Sequence, residues 1–402
     1  MTDSTTKIAI VGGGTAGIDV AARLSQHFPA SQITLIDPTE KHYYQPLWTL
    51  VGGGEAKKED TCRNESDLIP PGVNWIQESV TQLLPGENAL LTSGGMRITY
   101  EALVLCPGLR IEWGAIKGLP EALQSDPRVA SNYDYNTVDK TWAGLQALKQ
   151  GTAIFTQPST PIKCGGAPQK IMYLAHDYWQ RHGVADNISV KGYFAPATIF
   201  GNPHYVPALN KVVERKHIEM HYRRDLVAID HLAGTATFQN LDAPEEMESV
   251  AYEFIHVTPK MYPPEFVAKS PLAIADGPTK GWAEVNKNTL QSPIFSNVFA
   301  LGDVAGIPTS KTGAAIRKQA IVVEQNMVAH LAGKPLPNQY DGYTSCPLVT
   351  GYGKLIMAEF GYDDKVLPSF PLDPTKERWS MYMLKKHFLP WMYWNLMLKG
   401  KA

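Results

Sequence analysis

Lys7-Ile8-Ala9-Ile10-Val11-Gly12-Gly13-Gly14-Thr15-Ala16-Gly17 passes from an apolar run of β-branched character into a glycine turn, and an Ala-rich helical stretch follows from Ile18 to Phe28. The order is strand, turn, helix. Gly12 permits the tight turn, Gly14 lets backbone N–H groups approach a pyrophosphate, and Gly17 allows the helix to pack closely on the strand. The helix N-terminus adds a positive dipole. A second apolar strand, Gln32-Ile33-Thr34-Leu35-Ile36, ends in Asp37, where a dinucleotide fold needs an acid to accept from a ribose 2′-hydroxyl. A glycine turn with no ligand is the alternative. Strand, helix and acid in the right order favour an adenine dinucleotide.

Outward from that unit, 402 residues are too many for one ordinary domain and point to two. With 44% hydrophobic and 19% charged residues, the chain is neither disordered nor a multispan membrane protein. A net charge of -2 and the lack of a long basic run give no reason to bind nucleic acid. The 4 cysteines, Cys62, Cys106, Cys164 and Cys346, are too few and too scattered for a disulfide scaffold or a structural zinc site. The 11 histidines form no ligand spacing, and Glu245-Glu246 beside Pro244 reads as a solvated loop, so no metal is expected. The residues before Lys7 leave no room for a signal or transit peptide, and export by that route is not expected.

Asn297-Val298-Phe299-Ala300-Leu301-Gly302-Asp303 resembles the second FAD signature of disulfide-reductase-like flavoproteins. That likeness implies FAD, with Asp303 on the ribityl chain and a helix from Thr312 to His330 facing the flavin. A helix dipole there would stabilise an anionic reduced flavin. Cys106, at the end of the apolar strand Tyr100 to Leu105, reads as packing, because burial makes a thiol inert.

In the middle of the chain Thr152-Phe155 reads as a strand, Gln169 to Arg181 as a helix, and Val190 to Phe200 as another strand region. Where nicotinamide-using relatives carry a second glycine fingerprint, this sequence has Pro158-Ser159-Thr160-Pro161-Ile162-Lys163-Cys164-Gly165-Gly166-Ala167-Pro168. The Gly-Gly pair lacks the required order and the prolines stiffen the loop, so NAD(P)H is not expected as donor. Cys164 stands beside Lys163 and just before a helix, two features that favour a thiolate. That is a nucleophile's setting, although a small residue in a tight turn reads the same locally.

The segments Pro161-Ile162-Lys163-Cys164-Gly165-Gly166-Ala167-Pro168-Gln169-Lys170, Pro308-Thr309-Ser310-Lys311-Thr312 and Tyr343-Thr344-Ser345-Cys346-Pro347-Leu348 resemble those of sulfide:quinone oxidoreductases. The match is to the branch with the mitochondrial enzyme and its bacterial relatives. It runs along nearly the whole chain, including Tyr44-Gln45-Pro46-Leu47-Trp48-Thr49 and Tyr393-Trp394-Asn395. The resemblance implies redox cysteines at Cys164 and Cys346, with Gly12, Gly14, Thr15, Ala16, Gly17, Asp37, Gln45, Pro46, Gly302, Asp303, Lys311 and Thr312 around FAD. It implies that hydrogen sulfide attacks at Cys346, that Cys164 contacts the flavin, and that the flavin reduces quinone. The sulfane sulfur leaves to a small acceptor such as sulfite, glutathione or cyanide. No third cysteine matches, so the FAD is expected to be noncovalent.

The last stretch, Trp379 to Lys399, is dense in Trp, Tyr and Met, but Lys385, Lys386, His387 and Pro390 interrupt it. It reads as a foot in the membrane interface rather than a span, with basic flanks in support; a core or dimer patch is the alternative. Tyr352, Lys354, Ile356 and Phe360 are expected in the quinone pocket, though a buried strand would look alike. The expected architecture is α/β with two Rossmann-like dinucleotide-binding domains. Residues 1–115 and 275–345 form the FAD domain, 116–274 a second domain carrying Cys164, and 346–402 a quinone and membrane-docking region. The expected location is peripheral, on a bacterial inner membrane or, in a eukaryote, the mitochondrial one, with a homo-oligomer allowed. The rivals are a type II NADH:quinone oxidoreductase and a noncatalytic flavin sulfide sensor.

Overall fold

Strand β1 (Thr2–Val11) lies inside the first sheet because Ile8, Ala9, Ile10 and Val11 are apolar on both faces, as a strand covered on both sides requires. In the computed structural model, which describes residues 2–402, β1 pairs in parallel with β2 (Ile33–Ile36), and β2 with β3 (Asn74–Ile76). β4 (Val80–Leu84) and β5 (Ala89–Thr92) form a hairpin that extends the sheet through β6 (Met96–Leu105), the other parallel neighbour of β1. The strand order is β3-β2-β1-β6-β5-β4. Between β1 and β2 runs helix α1 (Thr15–Leu24), which ends earlier than the Phe28 expected. Beyond Leu24 the chain continues in turns as far as Pro29, which has no N–H to extend the helical ladder.

The second sheet is all parallel: β7 (Val129–Ala130), β8 (Gly151–Gln157), β9 (Ile188–Phe194), β10 (Glu219–Tyr222) and β11 (Phe254–His256), in the order β7-β11-β8-β9-β10. Helix α2 (Ala167–Arg181) makes the crossover from β8 to β9, its apolar residues Ile171, Met172, Leu174, Ala175 and Trp179 fully buried. The chain then returns to the first sheet. β12 (Val298–Ala300) pairs with the Leu103–Leu105 end of β6, so the first sheet is assembled from both ends of the sequence.

Helix α3 (Gly313–Leu331) packs against α1 and opens where Thr312 Oγ1 accepts from the Ala315 N–H at 3.1 Å. A hairpin follows, β13 (Thr344–Gly351) and β14 (Lys354–Phe360), with β13 laid on α2. Its register pairs Ser345 with Glu359, Cys346 with Ala358, Pro347 with Met357 and Leu348 with Ile356. Residues opposite one another point to the same side, so Cys346, Leu348, Ile356, Ala358 and Phe360 join the core under α2. Ser345, Pro347, Met357 and Glu359 point the other way. The chain closes with α4 (Trp379–Met383), a π-helical turn (Leu384–Phe388) and α5 (Leu389–Asn395). Among the described residues no helix is long and apolar enough to cross a membrane.

Candidate active site

A cavity of about 600 Å³ runs along the C-terminal ends of the two sheets, from the glycine turn to the loop after β8 and out to the C-terminal helices. At its first end Gly12 has φ +105°, a conformation that favours glycine, and a Cβ at Gly17 would overlap the Gly12 carbonyl oxygen. A Cβ at Gly14 would meet nothing within 4 Å. The N-terminus of α1 carries no side-chain cap, so its N–H groups are free for an anion. Asp37 accepts from Gly13 N at 2.6 Å and from Thr39. This cradle fits the pyrophosphate and ribose of a dinucleotide. Gly17→Ala is expected to lift α1 off the turn, costing about 1–3 kcal/mol or more and most of the bound flavin; a thermal melt and the yellow colour of the purified protein check both.

A feature missed in the sequence closes this end. Glu65 Oε2 bonds His42 Nδ1 at 3.1 Å, His42 Nε2 bonds the Tyr393 hydroxyl at 2.5 Å, and that hydroxyl bonds Thr15 Oγ1 at 2.7 Å. Tyr393 of α5 is thereby seated on the first residue of α1, with its ring 4.4 Å from that of Tyr44.

In the middle of the cavity the wall is made by Ala16, Gln45, Pro46, Gly302, Asp303, Lys311 and Thr312. Burial pushes the Asp303 carboxyl up against the opposing charges of Lys311 and Lys163, and pushes Lys311 down to about 8. Lys163 and Lys311 meet in a backbone bridge, and Cys164 N–H donates to the Lys311 carbonyl at 2.8 Å. The cysteine loop is thus fastened to the segment that leads into α3.

Cys164 has φ +59°, a left-handed conformation unusual for a side-chain-bearing residue. Its Sγ lies 3.7 Å from Cys346 Sγ, with both cysteines free. A Cβ at Gly166 would lie 2.7 Å from Cys346 Sγ, so the second glycine of the Gly-Gly pair makes room for that sulfur. Cys164 is held well below the usual thiol range, first by the hydrogen bond from the Cys346 thiol and then, against desolvation, by the charge and hydrogen bond of Lys170. Lys170 Nζ is 3.1 Å from Cys164 Sγ. Cys346 moves the opposite way, its thiol pushed up by its hydrogen bond to Cys164 and by burial. The cation that matters is therefore Lys170, not the sequence neighbour Lys163, whose own buried ammonium belongs with Asp303. Cys106 is buried, bonded to the Gly12 carbonyl and pushed up by burial.

One further expectation needs correction. Tyr352, Lys354, Ile356 and Phe360 do not line the cavity. Ile356 and Phe360 face the core under α2, Tyr352 donates to the Gly53 carbonyl at 2.7 Å, and Lys354 is exposed. Met357 and Glu359, one step away in the alternation, line it instead. Of the basic residues that interrupt the C-terminal segment, Lys385 and Lys386 are engaged within the protein. Lys385 points inward from the π turn, donates to the Pro46 carbonyl at 2.6 Å and is pushed down to about 7 by burial, with the nearby Lys170 charge adding to the shift. Lys386 pairs with Glu55. The segment exposes the aromatics Trp379, Phe388 and Trp391 together with His387 and Lys399.

A family model described as pyridine nucleotide-disulphide oxidoreductase matches residues 6–150. The chain is 41% identical over 394 residues to the mitochondrial sulfide:quinone oxidoreductase of Mus musculus, spanning 98% of this chain and 86% of that protein. It is 44% identical over 398 residues to the mitochondrial sulfide:quinone oxidoreductase of Dictyostelium discoideum, with 98% and 86% covered. Among solved structures, that of the sulfide:quinone oxidoreductase from Aquifex aeolicus superposes over 99% of this chain and 92% of the other, with a TM-score of 0.81 at 20% identity, a likeness of fold. With a cysteine pair that meets the cavity through Cys164 beside a dinucleotide cradle, and with these relatives along 98% of its length, the chain belongs to the sulfide:quinone oxidoreductase family.

Proposed function

We propose that the chain oxidises hydrogen sulfide through Cys164 and Cys346, with FAD as cofactor and a membrane quinone as final electron acceptor. The observation that carries this reading is the sulfur pair, 3.7 Å apart with Lys170 on one member, of which Cys164 lines a cavity continuous with the dinucleotide cradle and Cys346 is buried just behind it. In the oxidised pair, hydrosulfide attacks Cys346 Sγ, the S–S bond breaks, and its electron pair leaves on Cys164 Sγ. Lys170 receives that charge as a thiolate. A small nucleophile such as sulfite, glutathione or cyanide then lifts the sulfane sulfur from Cys346, and the two thiolates rejoin as two electrons depart. FAD, when bound, takes that electron pair from sulfur and delivers it to quinone.

The cradle supports noncovalent FAD, since Cys106 is engaged with Gly12 and Cys62 lies off the cavity wall. Exposed Trp379, Phe388 and Trp391, with Phe388 also on the cavity wall, support a monotopic membrane surface where a quinone would enter. The mitochondrial names of the mouse and Dictyostelium relatives support the mitochondrial inner membrane, and nothing in them speaks for the bacterial one.

The test is an anaerobic visible spectrum of the yellow protein titrated with sulfide and then with a short-chain quinone, with NADH as a parallel donor and Cys346→Ser as control. The expected result is bleaching by sulfide, a long-wavelength charge-transfer band and recovery on quinone, all absent in the variant. Bleaching by NADH and not by sulfide would falsify the reading.

A further inference from the structure

We propose that Glu359 is the group that delivers protons to the quinone. The inference rests on the reading above and deepens it. It begins with the β13–β14 hairpin, which acts as a partition. Its one face carries Cys346 toward Cys164; its other face turns Ser345, Pro347, Met357 and Glu359 into the cavity. Tyr343 and Phe370 complete this far compartment, and the half-exposed Phe370 sets it near the surface.

Its walls are suited to a flat apolar ring: the Pro347 ring, the Met357 thioether and the Phe370 face. A quinone reduced there needs two protons as well as two electrons. Of the four carboxylates on the cavity wall, Asp37 and Glu65 lie at the glycine turn and Asp303 lies beside Lys311 and Lys163. Glu359 alone belongs to the far compartment.

Glu359 is buried, yet it is not locked in an ion pair. Its Oε1 accepts from the Tyr343 hydroxyl and the Ser369 hydroxyl, each at 2.6 Å, and its Oε2 accepts only the Ser369 N–H at 2.9 Å. Oε2 therefore keeps room for a further partner. Met357, Glu359 and Phe370 also border a small, largely apolar cleft that includes the exposed Asp373 and Lys376, so the carboxylate's side of the hairpin lies close to the surface.

In the proposed step Glu359 takes a proton from water on that side and passes it to a quinone oxygen, as electrons reach the ring from the reduced flavin. Two such transfers complete the quinol and return Glu359 to its starting state. Sulfide supplies the electrons and water the protons.

Rapid mixing separates this role from a structural one. The Glu359→Gln holoprotein is first bleached with sulfide, which is expected to occur at the wild-type rate. It is then mixed with a saturating short-chain quinone or with ferricyanide, which accepts electrons without protons. Reoxidation by quinone is expected to slow on the order of 100-fold, and reoxidation by ferricyanide to stay unchanged. Equal slowing with both oxidants, or a wild-type rate with quinone, would overturn the proposal. If the glutamine variant holds no flavin, Glu359→Asp, which retains a carboxylate one methylene short, gives the same comparison. Failure of sulfide to bleach the wild-type protein counts against the function itself and is read before any quinone is added.

Discussion

Cys164→Ser is expected to stay yellow and folded while losing sulfide-dependent bleaching by on the order of a thousandfold or more. A hydroxyl cannot form the S–S bond that hydrosulfide must break, and it is a far poorer leaving group than a thiolate. Fold and flavin should survive, because what holds the loop is backbone: the Cys164 N–H to Lys311 carbonyl bond and the bridge between Lys163 and Lys311. Serine can keep both. The measurement is the rate of flavin bleaching under anaerobic sulfide, with flavin content and a thermal melt as controls. Normal bleaching would remove Cys164 from the reaction.

Lys170→Met is expected to slow the same step by about 10- to 100-fold at neutral pH and to make the residual rate climb as pH rises. The sign follows from the thiol. In the wild type the Cys346 hydrogen bond and the Lys170 ammonium hold Cys164 well below the ordinary thiol range, so the thiolate dominates at neutral pH and the rate does not depend on its titration. Without the ammonium the thiol moves back up, each unit being worth about 1.4 kcal/mol, and the thiolate fraction becomes a rising function of pH. Methionine fills the buried space without leaving a lone charge. Bleaching rates across pH check it, and a flat, undiminished profile would show that the Cys346 hydrogen bond suffices alone.

These two residues also show where a linear reading stops. Cys164 stood out as a candidate through the lysine and helix beside it, but a small residue in a tight turn reads the same locally, and its redox role came from the family resemblance. Lys170 did not stand out, because its place opposite the sulfur depends on where α2 begins and how the left-handed Cys164 turns the loop. Lys163, adjacent in sequence, was the natural candidate and is aimed elsewhere. The glycine turn and Asp37 were readable because each imposes a steric demand that only certain residues meet, at Gly12 and Gly17 above all. The hairpin was readable as a buried strand pair but not in its phase. Choosing Ile356 and Phe360 over Met357 and Glu359 is a slip of one residue, and in a strand that reverses every side chain. Lys385 was readable as a break in the apolar run but not in its direction, since only the π turn shows that it is carried inward to Pro46.

The bond between Tyr393 and Thr15 joins positions 378 apart in the sequence. To anyone tailoring this protein for crystallisation, the aromatic tail would look like a detergent-requiring appendage to cut away. Yet Leu384, Lys385, Leu389, Met392 and Tyr393 are one side of the vessel in which the reaction takes place. Cutting before Trp379 would trade a greasy surface for an open one, exposing the Cys164 side of the cavity to bulk water and removing the Tyr393 hydroxyl from Thr15 at the start of the first helix. Solubility is better sought by changing Trp379 and Trp391, which point outward, than by shortening the chain.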